Sequence, residues 1–235
     1  MLALLGGTSW PSTITYYEQL NVLAEKTLGS GHSADLIIRS VDYFEVRNNY
    51  VKDWERVKEF LHDSLVELSR QKATAIVICN NTLHKAYDEL TSQLGDTFSL
   101  GIPVVHAVDA IANQAKENGV DHLLLLAVKF TLEDGFYQRR LEQAGIRVTI
   151  PTPSEIDSLQ EIQTRLTQGL IQETDFEFFT ELINSYSLKV TGVALACTEL
   201  PLAVRPETIK VPILDSIKSQ VAEAWKYELT FINTD

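Results

Sequence analysis

Two stretches hold the side chains best suited to chemistry: Cys197-Thr198-Glu199 and Cys79-Asn80-Asn81-Thr82. Each closes a short apolar run, so each is expected where a strand ends and a helix begins. In open α/β sheets that carboxyl edge is where ligands bind, and backbone N–H groups at a helix start attract a carboxylate. A thiol, with an ordinary pKa of about 8.5, can give or take a proton once its surroundings tune it. The Asn80 amide has no proton to trade near neutral pH. If the strand persists through Cys79, that side chain points to the face opposite Asn80. For Cys197 the competing role is an inert buried thiol.

The elements that must position these residues read as α/β with parallel sheets. Apolar runs at 2–6, 36–41, 75–79, 104–106, 123–127, 148–150, 193–196 and 213–214 are predicted strands, separated by stretches with helical spacing. Trp54, Val57, Leu61, Leu65 and Leu68 share one helix face behind Asp53 as N-cap. Val108, Ile111, Ala112 and Ala115 form another stripe, which stops before Gly119 as a C′ residue.

The pattern repeats once. Leu2-Ala-Leu-Leu-Gly, leading to a helix with Tyr16, matches Leu123-Leu-Leu-Leu-Ala, leading to one with Tyr137. Residues 75–83 match 192–200, and Ile102-Pro-Val-Val-His106 matches Val211-Pro-Ile-Leu-Asp215. Three matches in one order predict two similar parallel-sheet α/β halves related by a pseudo-twofold axis. The expected division is 1–105 plus 212–235 for the first half and 106–211 for the second, with the active site in the cleft between them. The register sets Asn80 opposite Cys197, Asn81 opposite Thr198 and Thr82 opposite Glu199.

Composition excludes several classes. A formal charge of −12 with no Lys/Arg cluster argues against a nucleic-acid partner. No apolar run reaches the length of a membrane span, and the apolar start lacks the basic region of a signal peptide. Two cysteines are too few for a disulfide framework, which points to a reducing, cytoplasmic setting. The five histidines show no metal-ligand spacing, and no phosphate-binding glycine motif supports a nucleotide cofactor, so neither metal nor cofactor is expected.

Gly6-Gly-Thr-Ser-Trp-Pro-Ser-Thr-Ile-Thr-Tyr-Tyr17, Ser40-Val-Asp42, Cys79-Asn-Asn-Thr-Leu-His84 and Ala196-Cys-Thr-Glu-Leu-Pro201 together resemble the cofactor-independent aspartate/glutamate racemase family over nearly the whole chain. The resemblance implies an isomerase that needs neither PLP nor metal and acts on a dicarboxylic amino acid or related carboxylate. By analogy it implies a homodimer. Two groups on opposite faces of the substrate Cα would exchange a proton, one removing it and the other returning one.

Carried over position by position, the resemblance makes Cys197 one acid–base group and sets Asn80 at the other catalytic position. It offers Asn81, Thr82 and Thr198 as donors to the substrate, with helix capping as their competing role. Gly7 and Ser9 become first-loop contacts, against a plain tight turn. Glu199 either orients the amino group or assists Cys197, against a first-turn glutamate favoured by the helix dipole. Arg39 and Lys129 are candidates for a second carboxylate, against solvated strand-end cations. His84 is assigned to packing. Asn80, Ala127-Val-Lys129, Ala196 and Gln220 depart from the family pattern. Two alternatives stay open: a one-thiol isomerase or decarboxylase on the same fold, and a catalytically weakened amino-acid-binding homologue.

Overall fold

The computed structural model describes residues 1–232, the side chains of Glu45 and Asp96 excepted. Strands β1 (Leu2–Gly6), β2 (Leu36–Ser40), β3 (Ile76–Ile78) and β4 (Val104–Val105) form one parallel sheet in the order β2-β1-β3-β4. Strands β5 (His122–Leu126), β6 (Arg147–Thr149), β7 (Gly192–Leu195) and β8 (Ile213–Asp215) form a second parallel sheet in the order β6-β5-β7-β8. The same order recurs in the same sequence, so the two α/β halves are copies of one plan.

In the first unit β1 is followed by α1 (Trp10–Leu28), β2 by α2 (Tyr43–Lys52) and α3 (Trp54–Ser69), and β3 by α4 (Leu83–Leu94). Helix α3 forms as its sequence requires. The Asp53 carboxylate accepts the Arg56 N–H at 3.3 Å, and Val57, Leu61, Leu65 and Leu68 are buried. They pack with Ala3, Leu5, Ile76 and Ile78 of the sheet, each large side chain contributing about 2 kcal/mol of burial.

In the second unit β5 is followed by α6 (Lys129–Asp134) and α7 (Phe136–Gln143), β6 by α8 (Pro153–Leu166) and α9 (Glu173–Tyr186). Two helices change unit relative to the strand before them. Helix α5 (Ala107–Glu117) follows β4, yet Val108, Ile111, Ala112 and Ala115 pack with Leu123 and Leu125 of β5. Helix α10 (Ser216–Ile232) follows β8, yet Gln220 bonds the β4 carbonyl of Val105 at 2.7 Å.

The compact units are therefore Met1–Ala107 with the chain from Gln220 onward, and Val108–Ser219. The expected second boundary at 212 is corrected to 220. Residues 213–215 pair in parallel with β7, so β8 completes the second sheet and only the helix after it returns to the first unit. Of the expected 212–235 segment, 233–235 lie outside the described residues. No described helix is long and apolar enough to cross a membrane.

Candidate active site

At the carboxyl edge of the first sheet, Gly7 starts the turn from β1 into α1. Its φ is +86°, and a Cβ there would lie 2.3 Å from the Val41 carbonyl oxygen and 2.4 Å from the Val41 nitrogen. Both are backbone atoms locked by the Val41 N–H to Gly6 carbonyl bond of 3.1 Å. Gly7→Ala is therefore expected to cost at least about 3 kcal/mol, from a left-handed non-glycine residue plus the clash. The check is a urea midpoint lowered at unchanged slope. An unshifted midpoint refutes the close approach of these two loops.

The Gly7 N–H is held by Thr13 Oγ1 at 2.9 Å, and Ser9 precedes α1, its hydroxyl accepting from Ser12 at 2.8 Å. Next in the sheet, the β3 end carries Cys79, Asn80, Asn81 and Thr82. Cys79 is 1 % exposed, and burial pushes its thiol far above the ordinary range. It is an inert core thiol, as its strand face implies. Asn80 is half-buried, and its Oδ1 accepts the Leu83 N–H at 2.9 Å, capping α4. Asn81 and Thr82 are buried in the same turn. His84 is fully buried, its Nε2 accepting the Ala107 N–H at 3.4 Å, a packing role.

Two hydroxyls join this group that sequence reasoning did not select. Asn80 Nδ2 donates to the Tyr43 hydroxyl at 3.5 Å, and Tyr43 donates to the Tyr50 hydroxyl at 2.8 Å. The available signal was the seven-residue spacing of Tyr43 and Tyr50 on one helix, directly after the Ser40-Val-Asp42 motif.

At the carboxyl edge of the second sheet, Cys197 follows β7 and is 5 % exposed. Its thiol donates to Glu199 Oε2 at 3.2 Å, and the Thr198 hydroxyl donates to the same oxygen at 2.8 Å. Burial raises the thiol pKa well above its ordinary value. The Glu199 charge adds to that, while the backbone N–H groups of Glu199 and Leu200 pull the other way. At rest the sulfur is a protonated thiol aimed at a carboxylate. The helix expected after Glu199 is only a 3-10 turn, Leu200–Ala203, ended by the extended backbone of Val204; Pro206 then disfavours the helical conformation at Arg205, which is extended.

The two cations do not join these clusters. Arg39 reaches Glu67 Oε2 at 2.6 Å and Ser64 Oγ at 3.0 Å on α3. Its Nε and Nη1 are held on the side of the sheet that α3 covers. Lys129 follows β5, beside β7, but its ammonium pairs with Asp157 at 2.6 Å, and that hydrogen bond raises its pKa. Asp215, at the end of β8, accepts the Ile217 N–H at 2.9 Å. Burial raises its pKa against the opposing pull of the Ile217 and Lys218 N–H groups. Among the described residues no group of three His, Cys, Asp or Glu could hold a metal ion.

Two parallel four-stranded α/β units with one strand order set the fold class, and the sequence match gives the family within it. The chain belongs to the Asp/Glu/hydantoin racemase family, whose model matches residues 5–224. A candidate Asp/Glu racemase from Yersinia pestis is 34% identical, with a TM-score of 0.87, over 97% of this chain and 98% of that one. An aspartate racemase homologue from Pyrococcus horikoshii is 29% identical, with a TM-score of 0.81, over 96% and 97%. The Picrophilus torridus aspartate racemase, 20% identical at a TM-score of 0.75 over 96% and 92%, shares the fold.

Proposed function

We propose that this protein is a PLP-independent amino-acid racemase of the aspartate/glutamate type, with Cys197 as acid and base on one face of the substrate Cα. The contact of its thiol with Glu199, 3.2 Å, carries the reading. A buried thiol must lose its proton before it can act as a base, and Glu199 is the acceptor within reach. The proton moves from Sγ to the carboxylate, the thiolate takes the Cα proton, and the electron pair passes into the substrate carboxylate as an enediolate. Returning a proton from Sγ on the same face gives exchange with retention. Returning one on the opposite face, where the family plan sets Asn80, gives inversion.

The substrate class follows the names of the relatives above. Backbone N–H groups at the turns beginning with Asn81 and Thr198 supply the positive potential that a carboxylate requires from an acidic protein. A second reading, a one-thiol isomerase or decarboxylase, is favoured by one observation: the Asn80 oxygen is committed to the Leu83 N–H.

Incubation of L-Asp, D-Asp, L-Glu and D-Glu in deuterium oxide, followed by Cα-proton NMR and chiral chromatography, separates the readings. Exchange with inversion is the expected result. Exchange with retention alone selects the one-thiol reading, and no exchange with any of the four refutes both for these substrates.

A further inference from the structure

We infer that this protein pairs with a second copy of itself along β2, antiparallel about a two-fold axis at Ile37, so that the two first-unit sheets join edge to edge. The inference goes beyond the proposed reaction and does not depend on it.

In the first unit β2 stands at the end of its sheet, bonded on one side only, to β1. The Leu2 N–H donates to the Asp35 carbonyl at 2.9 Å, and the Val41 N–H to the Gly6 carbonyl at 3.1 Å. Backbone groups alternate sides along a strand, so the odd-numbered residues of β2 turn to β1, and Leu36, Ile38 and Ser40 direct N–H and C=O outward. Such an edge is a template for another strand. The other three sheet edges are blunted. Strand β4 spans Val104–Val105 directly after Pro103, β8 spans Ile213–Asp215 directly after Pro212, and β6 spans Arg147–Thr149 two residues before Pro151. Strand β2 is longer, has no proline beside it, and leaves Ile38 exposed.

This edge complements itself. Asp35-Leu-Ile-Ile-Arg39 carries opposite charges two residues either side of Ile37. Turned antiparallel about Ile37, Asp35 of one copy stands opposite Arg39 of the other, and Leu36 opposite Ile38. Leu36 and Ile38 are outward-directed, so they make the pair that exchanges both N–H···O bonds, while Ile37 meets Ile37 as the closer, non-hydrogen-bonded pair. A slip of two places either way sets Asp35 against Ile37 or Val41 and loses the attraction between opposite charges. Both charges are placed to take part. Arg39 uses Nε and Nη1 on Glu67 and Ser64, which leaves Nη2. Asp35 is exposed, and the Met1 ammonium 3.8 Å away is held more closely by Glu228, at 2.6 Å.

Helix α1 widens the surface. Asn21 Oδ1 accepts the Ala34 N–H at 3.1 Å, just before β2. Trp10, Ile14 and Tyr17 precede Asn21 at helical spacing on the same stripe, and all three are exposed, although Tyr16, Leu20 and Ala24 already bury the other face. A helix apolar on both faces needs cover on both. The two exposed aromatics offer roughly 250 Å². With the strand edge they bring the contact toward the about 800 Å² per copy that a stable pair buries.

The test reads assembly and register separately. Sedimentation velocity across a concentration series is expected to show a wild-type dimer that grows no further, because the two-fold uses the open β2 edge of each copy. Asp35→Arg sets like charges opposite each other at both ends of the pair, and should raise the dimer dissociation constant about tenfold or more. Under oxidation Ile37→Cys should form a disulfide-linked dimer, since that pair brings Cα atoms about 4.5 Å apart, within disulfide reach. Ile38→Cys should not, because its counterpart lies beyond the about 7 Å that a disulfide can span. Cys79 and Cys197 are buried and do not compete. Ile37 packs partly into the core, whereas Asp35 and Ile38 are exposed, so their variants carry the test if Ile37→Cys fails to fold. A wild type that is monomeric at every concentration, or that forms larger assemblies, overturns the proposal. So does an unchanged dissociation constant in folded Asp35→Arg, a folded Ile37→Cys that does not cross-link, or a cross-link at position 38.

Discussion

Cys197→Ser is expected to lower Cα exchange, with and without inversion, by about 10²- to 10⁴-fold, the usual contribution of a positioned acid–base group. A serine hydroxyl fits the same space and still donates to Glu199, but it cannot ionise anywhere near the working pH. The fold should be indifferent, because the change exchanges one small hydrogen-bonded atom for another at the end of β7. Burial and the Glu199 charge raise the thiol pKa, so near neutrality only a small fraction is thiolate. When Glu199 takes the Sγ proton, the pair forms the thiolate without exchanging a proton with solvent, so wild-type exchange should change little with pH around neutrality. Glu199→Gln removes both the proton acceptor and the repelling charge. The thiolate then forms only by losing its proton to solvent, so exchange in the variant should climb with pH, about tenfold per unit while the thiolate remains the scarce form, a change of profile that simple misfolding would not produce. Undiminished exchange in Cys197→Ser would remove this thiol from the mechanism.

Much of this arrangement was legible in the sequence because it depends on local pattern. All eight strands fall within a residue or two of the apolar runs, the Asp53 cap and the α3 stripe form as their spacing requires, and Gly119 ends α5 with φ +67°. The repeat was legible for the same reason: sheet order follows strand pattern. What escaped was decided by distant partners. The guanidinium of Arg39 had Glu67 and Ser64 within reach on α3, and nothing in the local sequence of β2 announces that choice. The change of unit at α5 and α10 depends on which sheet each apolar stripe covers, information that a stripe does not carry. Tyr43 escaped because a phenol at the start of a helix looks like ordinary core. Its meaning comes from Asn80, 37 positions away.

Asn80→Cys should raise inversion by about 10²-fold or more at neutral pH, because a thiol can give and take a proton near neutrality where an amide cannot. Since the two enantiomers are equal in free energy, kcat/KM must rise by the same factor from either one, and a gain in one direction alone would signal an artefact. The same substitution carries a cost in stability. Asn80 Oδ1 caps α4 through the Leu83 N–H at 2.9 Å, and a sulfur accepts that bond poorly. Loss of such a cap costs about 1 kcal/mol, which lowers Tm by roughly 2–4 °C in a chain of this size. Asn80→Ser, which keeps a capping oxygen but adds no useful acid, should hold Tm within about a degree or two and leave inversion no faster. Opposite movement of activity and stability in the cysteine variant, with neither gain nor large loss of Tm in the serine variant, assigns the effect to the thiol. If Asn80→Cys folds and inversion does not rise, position 80 lies away from the reacting carbon, and the amide there is a helix cap and nothing more.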